Sequence, residues 1–416
     1  MRFARVLSAH DQPDPAIDAL VVAAELDVLQ LDYQGPDCWP LDANRRPLRS
    51  RGHAAAFLQQ LCGLHKTLYL DPRLHVVTNA GGGNTIDCVE LLGQFLCEHG
   101  DSELLMTAVR GDNVLPRIEE LLAEGLELNN RSTGAPLVDL QRPILAAQIQ
   151  LGAGPFATAL DEGSRIVVAG CYDPAAPLIA AGVHHFRWNW DRFDALAGAA
   201  VAAQLGGWPK VLELHNDGST TLETSSEGKP FSFAGNLLQH ADVCCETAAL
   251  QFEPTDYGPW RVTGASGSRP SGQWPLALIY DAGYRSTVLF ELIGPEADEL
   301  AGPTIEALHT LLDREKEQQR ITIRRLQTVD GQTGEGSAQS NYKSVYVHVC
   351  CSSQQRAPGE EFVRAIANFS VRRRNTGLRV SGPWPEVQLQ TARWWTEVPR
   401  EAITVSVDTR PAQHWL

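Results

Sequence analysis

The sequence predicts an α/β protein: a mostly parallel, doubly wound sheet domain, then a β-rich α+β domain, then a small ferredoxin-like α+β domain at the C terminus. Three observations carry this. The first half alternates short, almost wholly apolar β-branched runs with longer segments of helical periodicity, the pattern of parallel strands covered on both faces. After Trp208 the texture changes to short strands and turns. The chain has 416 residues, well beyond the ~150 usual for one domain, so several domains are expected.

In order, FARVLSA (3–9) and DVLQLDY (27–33) read as strands, with a helix from about Pro15 to Glu25 between them. The helical stretch HAAAFLQQLCGLHK precedes a third strand, LHVVTNA (74–80). TIDCVELLGQFLCEHG then places Ile86, Val89, Leu92, Phe95 and Leu96 on one helical face. ELLMTAV (103–109) is a strand and LPRIEELLAEG a helix ending at Gly125, a common residue just past a helix end. ILAAQIQL and RIVVAG repeat the strand-loop-helix pattern, and DRFDALAGAAVAAQL closes the first domain, residues 1–210. A β-rich domain is expected over 211–311, opening with a hairpin in VLELHNDGSTTLETSSEGKPFSF. In it, ALIYDAGYRSTVLFELIG (277–294) reads as two strands joined through Gly283. A charged helix and linker over 312–340 lead to the α+β tail, 341–416, with the strand SVYVHVCC and the helix GEEFVRAIANFSVRRR.

Lys and Arg number 35 against 50 Asp and Glu, a formal charge of −15. That balance argues against nucleic acid or an anionic membrane as partner. No run of 18 apolar residues is present and no signal-peptide core forms near the start, so a cytoplasmic protein is expected. The nine cysteines include the vicinal pairs Cys244-Cys245 and Cys350-Cys351 and no Cys-x-x-Cys, which reads as free thiols.

Four strand ends run into loops of one design: NAGGGNT (79–85), VRGDN (109–113), LGAGPF (151–156) and AGCYDP (169–174). In a parallel sheet these loops share the carboxyl edge, where open α/β sheets bind ligands. The glycines admit close approach and the following helix offers free N–H groups, so an anionic end would be cradled by backbone. The candidate ligand-binding residues are Asn79, Gly81, Gly82, Gly83, Asn84, Gly152, Gly170 and Asp32. Asp112 and Asp173 are the candidate catalytic residues; each also stands where a helix cap is expected. Neither a dinucleotide fingerprint nor a phosphate-binding loop with its lysine is present, no metal-ligand spacing is recognisable, and no cofactor is indicated. His184-His185, Cys171 and Arg372-Arg373-Arg374 are weaker signals, read first as packing or surface residues.

At VVTNAGGGNTIDCVELL the chain resembles the bacterial acyclic terpene utilisation family AtuA. The likeness continues through AVRGDNVLPRIEELLAEG, through LGAGPFATALDEGSRIVVAGCYDPAAPLIAAG and through WNWDRFDALAGAAVAAQL, and it covers roughly residues 1–300, with a ferredoxin-like appendage thereafter. The resemblance implies catabolism of branched carboxylic acids, whose intermediates are commonly coenzyme A thioesters. A small-molecule carboxylate or acyl thioester is therefore the expected partner. The residues that match the family pattern are Asn79, Gly81, Gly82, Asp112, Gly152, Gly170, Asp173 and Asp191.

The departures cluster. The first strand ends in LSAHDQPD without glycine, the second in DYQGPDCWP with its acidic residue displaced or lost. The pattern's T-G-R is AGC at Ala169–Cys171, its K-P-P-G-T-G-G is TSSEGKP (224–230), and a late glycine-rich element is GPWPEVQ (382–388). Two functions follow as expectations: a hydratase, lyase or hydrolase without a redox cofactor, or a non-catalytic ligand-binding or assembly subunit. A homo-oligomer is expected from Trp-rich surface such as WNW (188–190).

Overall fold

The computed structural model describes residues 1–8, 14, 16–33, 52–205, 210–223, 237–254, 259–312, 319–326, 329–331, 342–373 and 377–416. The altered loops 9–13, 34–40 and 224–230 lie outside the described residues. The chain divides into two compact units, Met1–Ile279 with Arg393–Leu416, and Tyr280–Ala392.

In the first unit the strands are β1 (Arg2–Ser8), β2 (Val28–Tyr33), β3 (His75–Thr78), β4 (Leu105–Arg110), β5 (Ile144–Ile149), β6 (Ile166–Val168), β7 (Lys210–Leu214), β8 (Thr220–Glu223), β9 (Leu237–Gln239), β10 (Cys244–Glu246), β11 (Gln251–Pro254), β12 (Trp260–Thr263) and β13 (Ser266–Ser268). Its helices are α1 (Ala16–Ala24), α2 (Ala55–Leu70), α3 (Thr85–Glu98), α4 (Ile118–Ala123), α5 (Gly154–Asp161), α6 (Ala176–Phe186) and α7 (Phe193–Gln204). Further on come β14 (Gln273–Ile293), α8 (Ala297–Leu312), β15 (Gln319–Arg325), β16 (Val329–Gly331), β17 (Tyr342–Ser353), α9 (Arg356–Arg372), β18 (Leu378–Val380), β19 (Gln388–Pro399) and β20 (Ser406–Pro411).

The main sheet has ten strands in the order β11-β12-β8-β7-β1-β2-β3-β6-β4-β20. Its centre, β1-β2-β3-β6-β4, is parallel, and antiparallel strands flank it on both sides. The sheet is therefore mixed: the parallel heart is the part built from strand-helix alternation, while β7, β8 and β20 add by hairpin and C-terminal return. Ala4, Val6, Leu29, Leu31, Val76, Ile166 and Val168 pack with α1–α3 in one core. Their neighbours Phe3, Gln30, Val77 and Val167 are buried on the other face, so the period-2 alternation finds cover on both sides.

Two expectations change. β5 does not join the main sheet but pairs with β14; an apolar run marks burial, not which sheet receives it. Residues 277–294 form no hairpin, because β14 continues through Gly283 to Ile293. Gly283 has φ 98 and a β-carbon there would collide with the Ser353 carbonyl, so it marks a local bend where the neighbouring strand comes close.

In the second unit the sheet order is β15-β17-β14-β18, antiparallel at each printed pairing. Val288, Phe290, Leu292, Val345, Val347 and Val349 bury their face against α8 and α9. Among the described residues no helix is long and apolar enough to cross a membrane.

The C-terminal turn Ala412–Trp415 packs into the first unit's core, with Trp415 only 6% exposed and its indole Nε1 making no hydrogen bond. Its role is therefore burial. Trp415→Ala is expected to lower unfolding free energy by about 3–5 kcal/mol, and Trp415→Phe to cost clearly less, both read by urea denaturation.

Candidate functional site

The loops after the parallel strands meet on one edge and are stitched to each other by main chain. The Ala169 N–H donates to the Thr78 carbonyl (2.9 Å) and the Gly81 N–H to the Ala169 carbonyl (3.0 Å). The Asp173 N–H donates to the Leu151 carbonyl (2.9 Å) and the Ile149 N–H to that of Asp112 (2.8 Å). β5 thus delivers its end to this edge although it lies off the sheet. The Asn79 side chain ties β3 to β2 by accepting from the Tyr33 N–H (2.7 Å) and donating to the Tyr33 carbonyl (3.2 Å).

The donors expected to cradle an anion are engaged inside the fold. The Ala80 N–H donates to Thr78 Oγ1, that of Gly82 to the Asn79 carbonyl, that of Gly83 to Gly52 and that of Asn84 to Gly81. Asn84 caps α3 by accepting from the Asp87 N–H at 3.3 Å. Gly83 and Asn84 are exposed, whereas Gly81 and Gly82 are buried.

The close approaches for which glycine is required are made by the protein itself. A β-carbon on Gly152 would stand 2.7 Å from Asp242 Oδ2. One on Gly170 would collide with the Gly82 carbonyl oxygen and with Asp112 Oδ2. The edge is therefore a cluster of buried carboxylates, Asp32, Asp112, Asp173 and Asp242, and each meets the cost of leaving water differently.

Asp32 is neutralised. Arg5 donates to its Oδ2 through Nε at 2.6 Å and pairs through Nη2 at 2.6 Å, while Gln30 and the Tyr172 hydroxyl (2.6 Å) also donate to it. Asp173 stands just ahead of α6 and accepts from the Ala175 N–H (2.9 Å), a turn that leads into a helix whose N-cap, Ala175, has no side-chain cap. It also accepts from the Ala241 N–H (2.9 Å) and contacts His240 Nδ1 at 3.0 Å. Burial alone would raise its pKa, but His240 and these N–H groups hold it below the ordinary value. Burial works against the His240 cation, and the attraction of Asp173 outweighs it, so His240 is raised. Gln204 Nε2 lies 2.9 Å from the far nitrogen of His240. Asp242 accepts from the Ala153 N–H at 2.6 Å and faces Arg400 at 3.6 Å; burial still pushes it up to about 6.

Asp112 differs from these three. It is 3% exposed, makes no ion pair among the described residues, and its Oδ2 accepts no hydrogen bond. Burial pushes it up to about 7, with backbone N–H groups of Asp112, Asn113 and Cys171 and the Gln148 amide holding it back. The Gln148 amide nitrogen donates to the Gly82 carbonyl (3.2 Å), leaving its Oε1 unpartnered and buried as well. A carboxyl poised near neutrality beside unsatisfied acceptors can give or take a proton at physiological pH.

Sequence reading singled out Asp32, Asp112, Asp173 and the glycines, and the structure brings them together. It missed Arg5, Gln148, His240 and Asp242. The last two lie in QHADVCC, where a His and an Asp interrupt an apolar run; that interruption was the available signal. Cys171 is buried and its thiol is pushed up by burial and by Asp112, Asp173 and Asp32, so the thiolate is disfavoured. His184 pairs with Asp161 at 2.7 Å on the surface. Of the WNW stretch, Asn189 and Trp190 are exposed but Trp188 is buried at 3%, which corrects the reading of the whole stretch as surface. Cys244, Cys245, Cys350 and Cys351 form no disulfide; successive strand residues point to opposite faces. Arg374 lies outside the described residues.

The chain matches the acyclic terpene utilisation family protein AtuA over residues 8–206 and 217–409, and it belongs to that family. No curated protein matches it. Among solved structures, a hydantoinase/carbamoylase family amidase from Burkholderia ambifaria is similar at 16% identity over 29% of this chain and 30% of that one, with a TM-score of 0.18. A putative amidohydrolase/peptidase from Burkholderia cenocepacia is similar at 13% identity over 27% and 29%, with a TM-score of 0.16. This chain thus spans under a third of either structure.

The raised Asp112 pKa has a stability consequence. The folded state holds a proton that the unfolded state releases, so stability falls as pH rises from about 4 to about 7 and the deficit persists above that window. Asp112→Asn keeps the shape without the charge. We expect it to gain on the order of 2–4 kcal/mol over the parent at pH 8 and to match it near pH 4, by urea denaturation at both pH values. Gly170→Ala is expected to lose about 2–4 kcal/mol at either pH through overpacking.

Proposed function

We propose that this AtuA-family chain is an enzyme of small-molecule catabolism that uses Asp112 for proton transfer at the carboxyl edge of the parallel sheet. The reaction class is hydration, dehydration or hydrolysis. One observation carries the reading: Asp112 is the carboxyl of the buried cluster with an unpartnered oxygen and no counter-ion among the described residues. Asp173 and Asp32 are positioning residues, the first through the turn into α6 and His240, the second through Arg5 and Tyr172.

The same electrostatics select between the expected ligands. The Ala80–Asn84 donors are engaged, and Arg5, His240 and Arg400 are taken up by Asp32, Asp173 and Asp242, so the edge holds no spare donor or cation for a free carboxylate among the described residues. An uncharged reacting group, such as the carbonyl or alkene of an acyl thioester, fits the cluster better. The stitching of the loops to each other also favours a second reading, a ligand-binding or assembly subunit without turnover. In the second unit, the order β14-α8-β15-β17-α9-β18 supports a ferredoxin-like arrangement, which on this reading begins near Tyr280 instead of Asn341.

Crotonyl coenzyme A is the test substrate, with hydration followed by loss of enoyl absorbance and hydrolysis by release of free thiol. Asp112→Asn is expected to lower turnover at least ~100-fold. An Asp112→Asn protein as active as the parent removes the role assigned to this residue. Calorimetric binding of the thioester without turnover supports the second reading instead.

A further inference from the structure

The second unit carries a feature that the proton-transfer site does not use. One face of its sheet is covered by α8 and α9; on the other, pairing aligns polar side chains in rows, because residues directly opposite share a face. Ser352 stands between Arg320 and Arg285. Cys350 stands between Thr322 and Thr287, and His348 between Arg324 and Leu289. With strands ~4.8 Å apart and a rise of ~3.3 Å per residue, Arg285 and Arg320 stand about 10 Å apart across this face and Arg324 about 13 Å further along β15, a span that three long side chains can close on one diphosphate.

Arg285, Arg320 and Arg324 are exposed, and no carboxylate among the described residues pairs with them. Arg379, further along the same face, is held by Glu291 at 2.7 Å, so it does not add to the free charge. Arg285 Nε donates to the Cys350 sulfur at 3.0 Å, which fixes the direction of its fork. Burial, then Arg285 and Arg324, lower the His348 pKa, in keeping with their positions around it. Uncompensated cations aligned in a protein of net charge −15 call for an anion.

Beside Arg285, with Arg320 and Arg324 across β17 on β15, is a cavity of about 480 Å³ lined by Arg285, Thr287, Leu289, Trp384, Glu386 and neighbouring residues. Its size suits a small ligand, not a polymer. Trp384 is 48% exposed between Pro383 and Pro385, a half-bare ring on a stiff segment. Guanidinium forks match phosphate oxygens, and an exposed indole stacks on a planar base. We propose that this face binds a nucleoside diphosphate, with Arg285, Arg320 and Arg324 on the phosphates and Trp384 against the base. Glu386 at the rim is an acceptor for ribose hydroxyls.

Calorimetry on the full chain with ADP, inorganic pyrophosphate and a single-stranded oligonucleotide tests this. Saturable one-to-one ADP binding is expected. Arg285→Ala and Arg324→Ala should each weaken ADP and pyrophosphate about 10-fold. Trp384→Ala should weaken ADP to a similar degree and leave pyrophosphate unchanged. Asp112→Asn should bind ADP as the parent does, so this site and the proton-transfer site fail separately. The proposal is overturned by absence of saturable ADP binding, by an Arg285→Ala/Arg324→Ala double variant that binds ADP as the parent does, or by an oligonucleotide that outcompetes ADP.

Discussion

Four carboxylates are buried together at the carboxyl edge of the parallel strands, and much of the first unit's structure there compensates that charge. Desolvation alone would be prohibitive for each. Arg5 reaches across from β1 to Asp32 and at the same time ties β1 to α7 through the Ala203 carbonyl at 3.0 Å. His240 and the Ala241 N–H come from the segment between β9 and β10 to meet Asp173. The N–H of Ala153, just before α5, meets Asp242. Each compensation is also a long-range tie, so the electrostatics of the edge and its assembly are one problem.

Seen this way, the glycine-rich loops serve a different purpose from the one their sequence advertises. Gly152 and Gly170 admit the protein's own Asp242 and Asp112, and the N–H groups from Ala80 to Asn84 stitch loops together. The family pattern's arginine falls at Cys171, whose thiol feels Asp112, Asp173 and Asp32. Without a guanidinium at that position to favour its carboxylate form, Asp112 is pushed up to about 7 by burial. The departure noted in the sequence thus bears on the protonation state of the group proposed to act.

Much of this fold could be read in advance where local pattern and tertiary role coincide. The elements from β1 to α7 follow apolar periodicity, and the start of α3 follows its Asn84 cap. The readings failed where partner choice is non-local: β5 has the composition of a parallel strand yet pairs with β14, and β14 runs through a glycine that reads as a turn. At the site, Asp112 and Asp173 were legible because each precedes a helix at a strand end. Gln148, Arg5, His240 and Asp242 were not, since strand interiors and a β-rich segment give no local hint that their side chains converge on another loop. What Asp112 lacks, a partner for Oδ2, is legible only in three dimensions.

The protonation state of Asp112 can be measured directly. Carboxyl ¹³C resonances of aspartate-labelled protein, with Asp112 assigned by its loss in Asp112→Asn, should show one aspartate titrating near pH 7, the midpoint set by its burial. An Asp112 resonance that titrates near its ordinary value, around pH 4, would contradict the account.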